Sequence, residues 1–142
     1  MRSRRGVGAA LFALVAAASL VTAAIVLYAK TPKLALEVQR LDEKLVPNGP
    51  PGNRVSHIRF YVRYGDRHAR VTIVGQGLNP ARTLADDVPL RANRPVSYSW
   101  NGRTDAGTLA PPGHYALRVD LPDRGRNMLW VAHRIHLHPA GP

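Results

Sequence analysis

Three histidines near the C-terminus, His133, His136 and His138, are the residues of this sequence whose type and spacing best suit a metal ion. On an extended strand His136 and His138 share a face, about 7 Å apart. Two imidazoles at that spacing can offer nitrogens to Zn²⁺ or Cu²⁺, but a tetrahedral site needs a further ligand and an orienting second layer of hydrogen bonds. The sequence points to neither, so His136 and His138 are expected to lie on a solvated strand face, with no cofactor. Asp86-Asp87 is the one adjacent acidic pair, and consecutive strand residues point to opposite faces, which makes a poor acid–base dyad. A loop or turn is the expected place for it. No Gly-x-Ser-x-Gly elbow, phosphate-binding Gly-Lys-Ser/Thr loop or His-Glu-x-x-His is present, and Gly75-Gln76-Gly77 lacks the rest of a dinucleotide fingerprint and reads as a turn. With no cysteine, thiol catalysis, disulfides and thiolate metal sites are excluded. A non-enzymatic protein is expected.

Arginine is the other chemistry-bearing residue. The chain carries 20 Lys+Arg against 9 Asp+Glu, a net charge of +11. Such an excess attracts polyanions: anionic wall polymers, lipid headgroups or nucleic acid. Arg59 and Arg63 share a strand face with Tyr61, and basic residues interleaved with an aromatic can hold phosphate and stack bases. Arg118 and Arg134 are candidates to join them. The arginines are nevertheless spread along the chain, as on an ordinary solvated basic surface.

The elements that would position these residues are strands. Leu34, Leu36 and Val38 alternate with polar or small residues, as do Ile58, Phe60 and Val62. So do Val71 and Ile73, then Val96, Tyr98 and Trp100, and then Tyr115, Leu117, Val119 and Leu121. Leu129, Val131, Ile135 and Leu137 complete the buried set. Period-two alternation marks antiparallel strands with one buried face. Turn signals separate the runs, among them Asn48-Gly49, Gly65-Asp66, Asn79-Pro80, Asn101-Gly102, Pro111-Pro112-Gly113 and Pro122-Asp123-Arg124-Gly125. Short strands at this spacing predict an all-β sandwich or barrel. The stretch from Lys30 to Pro47 combines a stalk and a first strand.

The N-terminus is of another kind. After a basic tail, 1–6, residues 7–29 contain no charge and no proline. As a helix they would extend ~34 Å at 1.5 Å per residue, enough to cross a bilayer core of about 30 Å. This is expected to be a transmembrane signal anchor, with 30–33 as a short linker. The competing reading is a cleavable signal peptide with Val21-Thr22-Ala23 before its cut, but the apolar run continues past that point. The Arg-dense tail (Arg2, Arg4, Arg5) favours an N-terminus inside and the β domain outside the cell membrane, although Lys30 and Lys33 weaken the bias. Ala9, Ala13 and Ala17 form a small-residue stripe of the kind that packs helices together.

The run Trp100-Asn101-Gly102-Arg103-Thr104-Asp105-Ala106-Gly107, followed by Pro111-Pro112-Gly113-His114-Tyr115, resembles the FlgD Ig-like family, the immunoglobulin-like domain of flagellar hook-capping proteins. That family carries a Trp-(Asp/Asn)-Gly-Arg-x-Asp-x-Gly turn and then a Pro-x-Gly-x-Tyr corner leading into a strand. Pro47-Asn48-Gly49 before Ile58-Arg59-Phe60, and Arg82-Thr83-Leu84, also look like its segments. The resemblance covers most of 34–138. It implies an immunoglobulin-like antiparallel β-sandwich over 34–139, with Trp100, Asn101, Gly102, Asp105, Gly107, Pro112, Gly113 and Tyr115 as fold-forming residues. Where many members have an Asp-rich stretch, this chain has Pro50-Pro51-Gly52-Asn53-Arg54, so a calcium site has no carboxylate ligands there. The function expected is a membrane-anchored structural or protein-interaction module at the bacterial cell envelope, its partner an envelope protein or anionic polymer. The alternative is a basic polyanion-binding domain, for which nucleic acid is a poor match outside the cell.

Overall fold

A computed structural model describes residues 35–140, and the segment 7–29, expected to be an anchor, lies outside them with its flanks. Among the described residues no helix is long and apolar enough to cross a membrane. Eight strands account for more than half of the described residues: β1 Leu36–Leu41, β2 Lys44–Leu45, β3 Ser56–Val62, β4 Asp66–Val74, β5 Pro80–Leu90, β6 Val96–Trp100, β7 Gly113–Leu121 and β8 Arg126–Leu137. They form two sheets, a smaller one in the order β1-β3-β6 and a larger one in the order β2-β8-β7-β4-β5. The inner faces of both contribute to one core, so the β domain is a sandwich. Phe60, Ile58 and Trp100 from the smaller sheet meet Leu45, Ile73, Leu117 and Ile135 from the larger. Burying alternate side chains on two facing sheets removes most apolar area from water without leaving backbone groups unpaired.

The described strands depart from the sequence-based expectations in four places. The sandwich is not wholly antiparallel, because β2 runs parallel to β8, with Lys44 opposite His136 and Leu45 opposite Leu137. Asp86-Asp87 is not in a loop. Both residues lie inside β5, which is irregular there: Ala69 faces Val88 while Val71 faces Ala85, an extra residue that leaves Asp87 at a φ of 53°. Asp tolerates that left-handed conformation better than most residues, and the bulge absorbs it. Thirdly, β1 begins at Leu36 and β2 follows at Lys44, so the stretch before Pro47 holds two strands.

The fourth departure concerns β8. Leu117 faces Trp130 but Tyr115 faces Ile135, so two steps along β7 match five along β8. The three extra residues bow outward, and because three is odd they reverse the inside–outside phase. Met128 and Trp130 therefore pack against the core before the excursion, and Ile135 and Leu137 after it. Leu129 and Val131, expected inside, are exposed.

Candidate functional site

The turn after β6 and the corner before β7 hold the residues that the resemblance singles out. Trp100 is buried at the end of β6, its ring 4.9 Å from that of Tyr115 in an edge-to-face pair. Its indole Nε1 donates to the Arg103 carbonyl at 2.8 Å. Asn101 Oδ1 accepts from Arg103 N at 3.1 Å, Ala110 N donates to the Gly102 carbonyl at 2.8 Å, and Gly107 N donates to that of Thr104 at 2.9 Å. Asp105 ties the loop to the neighbouring edge: its carboxylate accepts from Thr83 N at 2.9 Å and Thr83 Oγ1 at 3.1 Å. The Tyr115 hydroxyl donates back to the Pro111 carbonyl across the Pro112-Gly113 corner. Every one of these contacts is accounted for by turn geometry and packing.

The candidate anion-binding arginines fall on opposite outer surfaces. Arg59 is on β3, in the smaller sheet, with Arg63 just beyond the end of that strand, whereas Arg118 and Arg134 are on β7 and β8, in the larger. The expectation that the four join into one patch therefore fails, since two sheets back to back turn their outer faces apart. On the smaller sheet the cations are occupied. Arg59 Nε donates to Gln39 at 3.1 Å, Arg63 lies 3.3 Å from Glu37, and Glu37 also accepts from the Tyr61 hydroxyl at 2.5 Å. Asp42 holds Arg40 at 3.0 Å and the His57 ring at 2.8 Å. Partial burial acts to raise the Asp42 carboxyl pKa, but the hydrogen bonds from Arg40 and His57 outweigh it and hold the pKa below the ordinary value. On the larger sheet Arg118 is bound to Asp120 at 3.0 Å. Arg134 has no ion-pair or hydrogen-bond partner among the described residues.

Arg134 borders an open cleft of about 810 Å³. The Gly75–Asn79 turn, the Pro111–Gly113 corner and the outward part of β8 line it, with Leu78, Leu129 and Val131 as its exposed apolar side chains. A Cβ on Gly75 would stand 3.0 Å from the Tyr115 ring, which would have to shift by a few tenths of an ångström to admit it. His114 stands at the rim.

From His114 the basic character continues along the sheet. His114 is the cross-strand partner of His136, with ring centroids 4.5 Å apart, and the rings of His136 and His138 are 4.1 Å apart. Lys44 is the partner of His136 on its other side. Desolvation by the neighbouring rings, and then the charges of His138 and His114, lower the His136 pKa from the ordinary imidazole value. His136 and His138 thus share a face as their spacing implies, with the rings in contact. Among the described residues no group of three or more His, Asp or Glu is arranged to hold a metal ion. His133 is not part of the column, since it lies on the β8 excursion and pairs with Glu43 at 2.6 Å. His114 and Lys44 were not identifiable from sequence. His114 does fall in the outward phase of its strand, but the register that sets it beside His136 is a long-range property. No protein-family model matches the chain, and no curated protein sequence matches it either.

Proposed function

We propose that this protein is a non-catalytic, immunoglobulin-like interaction module, tethered by residues 7–29 to the bacterial cell membrane with its β domain outside. The cleft on the larger sheet would be its protein-binding surface. The observation that carries the reading is the set of three exposed apolar side chains, Leu78, Leu129 and Val131, gathered in one concavity bordered by Arg134 and His114. Exposed apolar residues grouped in this way mark interaction sites far more often than scattered ones do. The resemblance to the FlgD Ig-like family supports a module without naming its partner, because such sandwiches host many roles. The test is cross-linking of the full-length protein in envelope membranes, with the wild type beside a Leu78→Asp/Val131→Asp variant. A partner captured by the wild type at both low and high salt, and lost in the variant, is the expected result. Capture unaffected by the substitutions would remove the cleft from the reading.

The column of His114, His136 and His138 beside Lys44 favours a second reading, an anionic polymer bound along the same sheet. That interaction would fall steeply with added salt. It would also strengthen as the pH drops and His136 protonates.

A further inference from the structure

We infer that the outer edge of β6, unpaired among the described residues, is a docking edge for a second copy of the same strand, paired antiparallel about Tyr98. This goes beyond the proposed function and uses a different surface. The two sheets have four terminal strands, β1, β6, β2 and β5. Unpaired sheet edges invite another chain, and proteins normally blunt them with prolines, bulges, charges or extreme shortness. Three of these edges are blunted. β5 carries Pro80, Pro89, Asp86, Asp87 and repeated register shifts. β1 carries Glu37, Arg40 and a shift between Val38 and Arg40. β2 is two residues long. β6 has none of these devices. Val96-Ser97-Tyr98-Ser99-Trp100 contains no proline, glycine or charge and runs in unbroken register with β3 from Phe60↔Val96 to Ser56↔Trp100.

The core beside this edge is incompletely covered. Val96 and Tyr98 face inward, Tyr98 stacking on Phe60 with centroids 6.0 Å apart, yet both are only half-buried. Ala81, Leu84 and Ala85 of β5 are half-buried likewise. An added strand with apolar residues at alternate positions would cover this seam.

The sequence of β6 itself meets that requirement. Turned antiparallel about Tyr98, it sets Tyr98 against Tyr98, Ser97 against Ser99, and Val96 against Trp100 of the second copy. Apolar residues then meet on the inner face and serines on the outer. A slip of one residue would oppose serine and aromatic side chains across the faces, so the alternation fixes the register. The contact is isologous and closes on itself as a two-fold pair, which joins the two smaller sheets into one. An unrelated peptide would have to reproduce the same alternation and length. The exposed Arg91, Arg94 and Arg103 at the ends of the strand repel between copies, so the pair should tighten as salt rises, the opposite of polyanion binding.

The chain has no cysteine, so single introduced thiols report the pairing directly. Ser97→Cys and Ser99→Cys are both at exposed positions and leave the core unchanged. Each would be made in the full-length protein in detergent micelles and oxidised alone or mixed in equal amounts. Opposed residues in the proposed pair lie within disulfide reach, whereas like-numbered ones are offset diagonally by about 7–8 Å, beyond the usual span. The expected result is disulfide dimer several-fold more abundant in the mixture than in either variant alone, rising with salt. Equal yields in all three samples would mean association through another part of the chain, such as the Ala9/Ala13/Ala17 stripe, and would overturn the inference. Absence of dimer in every sample would overturn it as well. Either failure leaves the cleft on the larger sheet untouched.

Discussion

His136 stands between two other imidazoles, and His68 stands against a carboxylate, so the same side chain is pushed in opposite directions at two places in one domain. Desolvation and the charges of His138 and His114 lower the pKa of His136. The hydrogen bond to Asp87, at 2.5 Å, raises that of His68, and the charge of Asp123 adds to it. The two act on stability with opposite signs. Folding disfavours protonated His136, so its neutral form is the stabilising one and that contribution fades as the pH falls through the ordinary imidazole pKa. Folding favours protonated His68, whose contribution is complete below the ordinary pKa and is lost as the pH rises through the raised one. Both rings are exposed, so the effects on stability are small, but the titrations separate them. An NMR titration of the imidazole protons should find His136 protonating below, and His68 above, the ordinary value. His138→Gln should move His136 upward. Coincident titration of His136 and His68 would contradict the stacked geometry.

At the scale of the element, the turn after β6 depends on glycine for two different reasons. Gly102 has a φ of 82° and is buried, and a Cβ on it would lie 3.1 Å from Leu137 Cδ1 and 3.5 Å from Leu45 Cδ2. Gly107 has a φ of 84°, but nothing stands within 4 Å of the position its Cβ would take. Gly107→Ala should therefore cost only the backbone term, about 1–2 kcal/mol for a left-handed L-residue. Gly102→Ala should cost more, since it adds overpacking of roughly 1–3 kcal/mol against the junction of β2 and β8. Thermal unfolding followed by circular dichroism would rank the two, and an equal loss would mean that Leu137 and Leu45 yield freely. The β8 excursion is the other element with consequences beyond itself. Its three extra residues expose Leu129 and Val131 and carry Arg134 to the cleft.

For the whole molecule, location depends on the apolar segment 7–29, which lies outside the described residues. If it is an uncleaved anchor, the full-length chain should stay with membranes through an alkaline wash. A C-terminal tag should then be digested by protease added outside the inner membrane. A shortened chain released by the wash would identify a cleaved signal peptide. A tag protected behind an intact inner membrane would put the domain, and its excess of basic charge, on the cytoplasmic side. The charge itself is unevenly used. The outer face of the smaller sheet pairs its cations with Glu37, Gln39 and Asp42, while the larger sheet presents Lys44, Arg134 and three imidazoles near one cleft.

By itself the sequence determined the strand composition, most of the strand positions and the buried face of most strands. Period-two alternation and Gly/Pro turns are local, and each run of residues carries its own record of them. The same holds for the turn and corner chemistry of Trp100, Asn101, Gly102, Asp105 and Tyr115, whose partners are mostly a few residues away. Tertiary structure decided what depends on register between distant segments. It set His114 beside His136 and Lys44 opposite that ring, and it divided the four candidate arginines between two outer faces. It also turned Leu129 and Val131 outward, placed Asp86-Asp87 inside an edge strand, and left one edge of β6 unpaired among the described residues. A strand's pattern says which residues share a face, but only its pairing says what lies next to them.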